Sequence, residues 1–416
     1  MEKTKKWQMN IFILCWGAYT LAYLVRANLS IAMPDIQSTL NFTKTQMGLL
    51  GSIFFWAYGI GQLINGYIGD KHSSKRLIFI GLLASSLVNL IFGFTTNYII
   101  MAILWMINGY FLSMLWGPIM RTITYWFPAD KRGDVAIGIS TSMVLGFLLA
   151  WGVIGIILSY TKWNWAFWIP GIILFIFSII FLIFAKDKPE EVNLTLEFKD
   201  EVQKQEDSEM SLIKIIKETK LWLVVIACYA QGIVKDGITL WAPTLIMETH
   251  NLNIKSTVQF IIFIPIMNFF GIILAKWLNK KLQNKEKLTT IILFGIGIIM
   301  LVCLIKLGVY SPLIAIIFLG LSSAMMYGAN TILLGVIPLN YAKYNRTSAV
   351  AGFLDFNSYM AAGVTALITG VIVQSVGWNG VLIFWVVMMF FAIVVLYGGI
   401  KHEHAQVNYI NESFTS

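Results

Sequence analysis

Four charged side chains fall inside long apolar stretches of the chain: Arg26, Lys235, Asp236 and Asp355. A charge near the middle of a membrane-spanning helix costs about 2.5–3.5 kcal/mol on insertion scales, so such residues usually have a function. Arginine and lysine bind anions, whereas a buried carboxylate can carry a proton or neutralise a nearby base. The chemistry that these residues indicate is therefore anion binding, proton transfer or ion pairing within a membrane.

The two bases occupy equivalent positions in an internal repeat. Arg26 is followed eight residues later by Pro34, and Lys235 is followed eight residues later by Pro243. The basic residue and the proline thus each recur after 209 positions. That offset is about half the chain, which indicates two halves related by an axis along the membrane normal. Equivalent positions face such an axis, so we expect the two bases to converge on one cavity and bind an anion.

The two acids leave a second possibility open, in which Arg26 and Lys235 only form structural ion pairs with Asp355 and Asp236. Asp236 directly follows Lys235 and points about 100° away around the helix, which favours a structural role. Asp355 has no basic neighbour on its own helix. It is the candidate for a titratable carboxylate, as a proton carrier or as a partner of Lys235 in the empty state.

Aromatic and polar side chains at helical spacing accompany the charges. Tyr19, Tyr23 and Arg26 follow i, i+4, i+7 spacing and share one helix face. Tyrosine hydroxyls can donate to a bound oxyanion, although polar residues also serve simply to pack membrane helices together. Further candidate pairs, one helical turn apart, are Tyr58 with Gln62, Tyr327 with Asn330, and Asp355 with Tyr359.

The composition indicates a membrane protein. Of 416 residues, 58% are hydrophobic and only 12% are charged, about half the charged share of a soluble domain. This excludes soluble, disordered, collagen-like and disulfide-scaffold proteins. We predict an all-α integral membrane protein of twelve transmembrane helices in two pseudo-symmetric six-helix bundles. The apolar runs lie at about 9–33, 47–69, 76–95, 97–121, 134–159, 164–185, 220–247, 256–278, 288–307, 311–337, 348–374 and 379–400.

Polar segments divide the predicted helices into an N-terminal bundle (1–187), a cytoplasmic linker (188–218), a C-terminal bundle (219–400) and a cytoplasmic tail (401–416). Residues 211–220 predict a short amphipathic helix on the membrane surface. With both termini inside, 24 of the 30 lysines and arginines lie on the cytoplasmic side and four lie outside. Because cytoplasmic loops carry such an excess, we predict a multi-pass plasma-membrane protein with both termini in the cytoplasm. The four outside are Lys44, Lys162, Lys255 and Lys306.

The sequence does not indicate enzymatic chemistry. All four histidines fall outside the apolar runs, and the three cysteines stand singly within them. We therefore expect no catalytic residues, metal or cofactor. The net charge of +9 lies in short loops and reflects membrane orientation, so nucleic acid is not an expected partner. The expected partners are the lipid bilayer and a small anionic substrate, with protons or inorganic phosphate as coupling ion, and the chain is expected to act as a monomer.

The chain resembles a major facilitator superfamily transporter over essentially its full length. GYIGDK at residues 66–71 is similar to the signature loop between that superfamily's second and third helices, with Ser73 in place of the usual glycine. The resemblance implies the major facilitator fold. It also implies that a conformational loop includes Gly66, Asp70, Lys75 and Arg76.

Longer motifs resemble the organophosphate:phosphate antiporters, which include glycerol-3-phosphate and hexose-phosphate transporters. The resemblance implies that Arg26 stands at the family's first phosphate-binding arginine and Lys235 at the second. It places Tyr19, Tyr23, Tyr327 and Tyr359 at cavity positions. The motifs are YLVRANLSIAMP (23–34), RTITYWFPADKRG (121–133), KDGITLWAPTLI (235–246) and YGANTILLGVIPLNYAKYNRTSAVAGF (327–353).

Some positions depart from the glycerol-3-phosphate transporters. Ala27 and Gln62 stand where those proteins have lysines, and Met143 stands where they have a histidine. The pattern W-x-Y-x-x-x-Q-x-x-x-G-x-x-x-D at 56–70 resembles the anion:cation symporters, which carry sugar acids and other carboxylates with protons. A dianionic phosphoryl group needs more positive charge than a carboxylate does.

Three functions remain open from the sequence. The preferred one is a secondary active transporter that exchanges an organophosphate or sugar phosphate for phosphate by alternating access. The alternatives are a proton-coupled symporter of a carboxylate or sugar acid, and a non-transporting membrane sensor of such a ligand.

Overall fold

The computed structural model describes residues 2–194, 212–344 and 347–415. Within these ranges the chain is helical and contains no strand. Twelve helical segments there are long and apolar enough to cross a membrane, which confirms the predicted all-α fold. The short helix expected near residues 211–220 is present at Leu212–Glu218.

The helices are numbered along the chain. Three spans are built from two α-helices each: α4 with α5, α6 with α7, and α11 with α12. Two spans contain a π-helical segment, at Leu149–Ile154 and Thr331–Val336. The α-helices are α1 (Glu2–Leu40), α2 (Lys44–Lys71), α3 (Ser74–Phe92), α4 (Tyr98–Leu112), α5 (Trp116–Trp126), α6 (Ala129–Leu148), α7 (Gly155–Leu158), α8 (Trp165–Phe184), α9 (Leu212–Glu218), α10 (Leu221–Thr249), α11 (Ile254–Ile261), α12 (Phe263–Lys281), α13 (Glu286–Leu307), α14 (Pro312–Asn330), α15 (Thr347–Ser375) and α16 (Trp378–Thr415).

The chain forms two compact units. Unit 1 comprises Met1–Glu206 and Thr239–Pro265, and unit 2 comprises Asp207–Ile238 and Ile266–Ser416. Helix α10 therefore belongs to unit 2 as far as Ile238 and to unit 1 from Thr239 onwards. The domain boundaries expected from the polar segments stay predictions.

The helices that carry the two buried bases are built alike. Helix α1 continues through Pro34, and α10 continues through Pro243. Membrane helices tolerate proline because neighbouring groups satisfy the freed backbone carbonyl. The repeat seen in the sequence thus corresponds to two long, proline-containing helices with a base two turns before the proline.

Burial distinguishes inner from outer helices. In the most apolar 18 residues of α10, 78% of residues are buried, whereas 33% are buried in the corresponding stretches of α8 and α16. The two outer helices expose isoleucine and phenylalanine side chains such as Ile183 and Phe390, which lipid chains would cover. Helix α10 is enclosed by protein, as a helix with two charged residues requires.

Small residues allow close helix crossings in both units. In unit 1, a Cβ atom added to Gly109 of α4 would lie 2.5 Å from the carbonyl oxygen of Phe54 in α2. In unit 2, a Cβ atom added to Gly271 of α12 would collide with the carbonyl oxygen of Ala324 in α14. Interfaces of this kind are typical of membrane proteins, where van der Waals packing drives helix association.

Residues 239–265 are attached to the rest of unit 1 near one end of the spans. The ammonium of Lys44, at the start of α2, lies 2.5 Å from a carboxylate oxygen of Glu248 at the end of α10. Helix α11 packs against α7, where Val258 fills the space beside Gly155. The ammonium of Lys255 lies 5.5 Å from the centroid of the Tyr160 ring.

We predict opposite effects for alanine at two kinds of helical glycine. Gly109→Ala and Gly271→Ala should each lower stability by about 1–3 kcal/mol, because backbone atoms must move apart. Gly295→Ala is the matched control, since that glycine lies in α13 with open space at the Cβ position. It should be neutral or stabilising by up to about 1 kcal/mol. Thermal unfolding in detergent measures all three, and equal midpoints would contradict the close crossings.

Candidate functional site

Arg26 lies in an aromatic enclosure within unit 1. Its guanidinium carbon is 5.2 Å from the ring centroid of Tyr23, 5.6 Å from Phe54, 5.7 Å from Phe55 and 5.0 Å from Tyr58. All four rings are buried, and Arg26 itself is half-buried. Each cation–π contact contributes about 0.5–2 kcal/mol, the larger values where the cation is desolvated. The enclosure therefore stabilises a charge that a membrane interior would otherwise penalise.

The spacing along two helices produces this enclosure. Tyr23 lies three residues before Arg26 on α1, and its neighbour Tyr19 contacts it edge-on, with centroids 5.3 Å apart. The other three rings lie within five consecutive residues of α2. Tyr19, Tyr23 and Tyr58 were expected from the sequence. Phe54 and Phe55 were not, although their helical spacing to Tyr58 was a usable signal.

A cleft within unit 1 opens beside Arg26. The space inside it is about 20 Å³, enough for a water molecule and well below the range of small-molecule sites. Its wall is mainly aromatic and aliphatic, and its polar side chains are those of Arg26, Ser30 and Thr239. The remaining lining residues are Ala27, Leu29, Gly51, Phe54, Phe55, Trp105, Phe147 and Leu240.

A buried asparagine network fixes the segment of α1 that carries Arg26. Asn28 Nδ2 donates to Asn89 Oδ1 at 2.9 Å and to the Ala166 carbonyl at 3.0 Å. Asn89 Nδ2 donates to Asn108 Oδ1 at 3.3 Å, and Asn108 Nδ2 donates to the Val25 carbonyl at 3.2 Å. These bonds connect α1 to α3, α4 and α8 on both sides of Arg26. Sequence reasoning did not predict this network.

Lys235 lies among polar and aromatic groups of unit 2. Its ammonium donates to Asn330 Oδ1 at 3.4 Å, lies 3.3 Å from Asp236 Oδ2, and is 5.8 Å from the ring centroids of both Tyr327 and Tyr359. Lys235 is 8% exposed and Asp236 is 2% exposed. Although adjacent helix positions point about 100° apart, the long lysine side chain reaches its neighbour's carboxylate. The structure thus brings five residues predicted from the sequence together on α10, α14 and α15: Lys235, Asp236, Tyr327, Asn330 and Tyr359.

Two further polar residues of unit 2 were not predicted. Ser358 Oγ donates to Gln231 Oε1 at 3.1 Å, and Gln231 Nε2 donates to Asn330 Oδ1 at 3.1 Å. Gln231 is fully buried and lies one turn before Lys235 on α10. That spacing was the signal in the sequence that could have identified it.

Two further expected site residues lie on the same helices as residues of the two sites. Gln62 is half-buried, one turn after Tyr58 on α2. Asp355 is half-buried, one turn before Tyr359 on α15. Their roles in substrate binding and coupling stay predictions.

The expected conformational loop is a short break between α2 and α3. The Lys75 backbone N–H donates to Asp187 Oδ1 at 2.6 Å, and the Ser73 hydroxyl donates to the same carboxylate. Ser73 Oγ also accepts from the Arg76 backbone N–H at 3.2 Å and caps α3. Asp187 thus binds the start of α3 to the segment after α8. Two predicted residues of this region, Gly66 and Asp70, are described only as part of the backbone of α2.

The site groups are suited to an anion. Arginine presents a planar fork that matches two oxygens of a carboxylate or phosphate, whereas lysine presents a compact point charge. Tyrosine hydroxyls and the asparagine amide can add hydrogen bonds.

Comparison with known proteins gives both a family and relatives. The sequence profile described as "Major Facilitator Superfamily" matches residues 15–354. The chain is 24% identical to the "Probable hexose phosphate transport protein" of Chlamydia trachomatis, covering 95% of this chain and 91% of that one. It is 27% identical to the "Glycerol-3-phosphate transporter" of Bacillus subtilis, covering 94% and 92%. It is 22% identical to the "Membrane sensor protein UhpC" of Escherichia coli, covering 95% and 90%.

A solved structure shares the fold. A bacterial homologue of the human lysosomal transporter Spinster, in an inward-facing and occupied conformation, superposes with a TM-score of 0.74 at 15% identity. The match covers 95% of this chain and 97% of that chain.

The asparagine network predicts a specific loss of stability. Asn108→Leu keeps the side-chain volume but removes the bonds to Val25 and Asn89, which should cost about 1–3 kcal/mol because a buried donor loses its partner. Leu112→Met, one turn later on α4 and equally buried, should cost less than about 1.5 kcal/mol. Thermal unfolding in detergent compares the two variants. A smaller effect of Asn108→Leu than of Leu112→Met would contradict a stabilising network.

Proposed function

The chain belongs to the Major Facilitator Superfamily, and from this premise we propose that it is a secondary active transporter of a small organic anion. The proposed cargo is an organophosphate or sugar phosphate, exchanged for inorganic phosphate by alternating access. The observation that carries the proposal is the presence of two bases in membrane helices, each held among tyrosines. The names of the hexose phosphate and glycerol-3-phosphate relatives support the substrate class.

The proposed binding chemistry divides between the two bases. Arg26 binds two oxygens of the phosphoryl group through its fork, and Lys235 supplies a second positive charge. That both bases serve one substrate is supported by their equivalent positions in the repeat, 209 residues apart. The tyrosines and Asn330 donate hydrogen bonds, while the apolar wall of the cleft excludes water and strengthens these interactions.

Alternating access requires contacts that close one end of the transporter and later break. The contacts that attach residues 239–265 within unit 1, between Lys44 and Glu248 and between Val258 and Gly155, are the candidates for this role. The distribution of lysine and arginine supports cytoplasmic termini and a plasma-membrane location, and with that orientation these contacts would lie on the external side. We propose that they form an external gate.

Two alternative functions have specific support. Proton-coupled symport of a carboxylate or sugar acid is favoured by Gln62, which stands where glycerol-3-phosphate transporters have a lysine, and would use Asp355 as proton carrier. A non-transporting sensor is favoured by the similarity to the membrane sensor protein. Proteoliposomes separate all three: an antiporter exchanges phosphate without a pH gradient, a symporter accumulates substrate only with one, and a sensor binds without flux.

Replacement of the bases should weaken anion binding. Arg26→Gln or Lys235→Gln should each reduce affinity roughly 10- to 150-fold, because a charge-assisted hydrogen bond contributes about 1.5–3 kcal/mol. Arg26→Lys should also be impaired, since it loses the fork, whereas Lys235→Arg should be tolerated. Exchange of radiolabelled phosphate in proteoliposomes measures the effect, with Lys306→Gln as a control at an exposed lysine. Near-normal exchange by both glutamine variants would refute the proposed site.

Loss of the Lys44–Glu248 pair should favour opening of the external gate. The two side chains are 22% and 33% exposed, so the pair contributes about 0.5–1 kcal/mol and its loss shifts the equilibrium roughly two- to five-fold. Glu248→Gln should therefore increase external labelling of Thr239→Cys, in the wall of the cleft, by an impermeant thiol reagent.

Two controls accompany this gate experiment. The double exchange Lys44→Glu with Glu248→Lys should restore the original labelling, because it re-forms the pair with reversed charges. Glu286→Gln, at the start of α13 and on the side predicted to be cytoplasmic, should leave labelling unchanged. If Thr239→Cys is labelled equally with and without Glu248→Gln, Lys44 and Glu248 are not part of the gate.

A further inference from the structure

A chain of hydrogen bonds in unit 2 ends at Lys235, and we call it the amide relay. It consists of Ser358, Gln231, Asn330 and Lys235, with successive donor–acceptor distances of 3.1, 3.1 and 3.4 Å. The relay joins α15, α10 and α14. Gln231 and Ser358 are almost wholly buried, whereas Asn330 is half-buried. The relay therefore runs from the core of unit 2 to a partly accessible amide.

The ammonium of Lys235 sets the direction of every bond in the relay. A lysine ammonium only donates, so the atom of Asn330 that faces it must be the carbonyl oxygen. Gln231 must then offer its Nε2 to that oxygen, which leaves its Oε1 to accept from the Ser358 hydroxyl. The orientation of both amides, which is otherwise ambiguous between O and N, follows from one positive charge.

This orientation turns Asn330 into a dedicated donor. Its Oδ1 is occupied by Lys235 and Gln231, and within the described ranges no acceptor bonds to its Nδ2. A free asparagine amide could instead turn its oxygen towards an anion and repel it. Gln231 opposes that rotation, because rotation would bring the two NH2 groups of Gln231 and Asn330 together.

On the basis of the proposed function, we infer that Gln231 is a positioning residue for the substrate anion. It holds Asn330 so that Nδ2 faces the oxyanion beside the charge of Lys235, and it does so without touching the substrate. The ligand class that such adjacent donors recognise is an ionised oxyanion, whose oxygens are acceptors only.

A purely structural role for Gln231 is the competing explanation. Helices α10 and α15 are in close contact here, since a Cβ atom added to Gly232 would lie 2.5 Å from the Ser358 carbonyl oxygen. A packing role predicts that any disturbance of Gln231 lowers stability and transport together. A positioning role predicts an effect that passes through Asn330 and appears in KM.

The first experiment removes the hydrogen-bond donor that Gln231 offers to Asn330. Gln231→Glu keeps the shape but cannot donate to Asn330 Oδ1, so Asn330 turns its Nδ2 away from the substrate. We expect the KM for inorganic phosphate exchange to rise roughly ten-fold or more, with kcat within about two-fold, as for a lost binding interaction. Gln231→Met removes the restraint without reversing it and should raise KM by a smaller factor.

Ser358→Ala is the matched control. This variant removes a bond to the same glutamine from an equally buried position, but the direction of the relay is set from the Lys235 end. Its KM should therefore stay within about two-fold of the original. A loss as large as that of Gln231→Glu would overturn the positioning role in favour of packing.

A double-mutant cycle tests whether Gln231 acts through Asn330. Gln231→Met combined with Asn330→Leu should be no worse than Asn330→Leu alone, within about two-fold. If the fold-losses of the two single variants multiply in the double variant, the inference is overturned.

The failure of the proposed function remains distinguishable from the failure of the inference. If the unaltered protein neither binds nor exchanges inorganic phosphate, the proposed function fails. The same cycle is then measured by thermal unfolding of the purified protein without ligand. A Tm shift of the double variant smaller than the sum of the single shifts supports the relay, and additive shifts overturn it.

Discussion

Two positive charges inside membrane-spanning helices impose the main constraint on this protein. A membrane interior offers no water to solvate Arg26 or Lys235, so protein groups must take its place. The two sites meet this need differently. The guanidinium of Arg26 is weakly hydrated and planar, which suits contact with the faces of four rings. The ammonium of Lys235 is strongly hydrated, and it has the oxygens of Asn330 and Asp236 instead.

The contacts that stabilise Arg26 and Lys235 require that their helices are held firmly in place. The cation–π distances to Arg26 depend on the position of α1, which the asparagine network fixes through bonds to α3, α4 and α8. The bonds of Lys235 depend on the enclosure of α10, most of whose residues are buried. Glycines at close crossings in each unit allow the surrounding helices to come near enough.

Helix α10 links the substrate chemistry to the proposed movement. It carries Lys235 in unit 2 and passes into unit 1 three residues after that base, between Ile238 and Thr239. Its far end carries Glu248, which pairs with Lys44. One continuous helix thus holds the base proposed to bind substrate and a residue of the proposed gate, about 13 residues or 20 Å apart at the rise of an α-helix. In the proposed mechanism, an anion bound at Lys235 therefore acts on the helix that also carries the proposed gate residue.

The architecture and the principal charges could be predicted from the amino-acid sequence alone. Twelve apolar runs, a 209-residue repeat and two bases followed by prolines indicated the fold and the anion chemistry, because hydrophobic length and rare intramembrane charges are local signals. The superfamily was indicated separately, by the resemblance of short motifs such as residues 66–71. Which neutral residues support those charges could be learned only from the packing of the helices. Phe54, Phe55, Gln231 and the asparagines are ordinary residues in a helical sequence, and their roles depend on which helices lie side by side. The pairing of Lys235 with Asp236 likewise depends on the path of a flexible side chain, which helical periodicity does not specify.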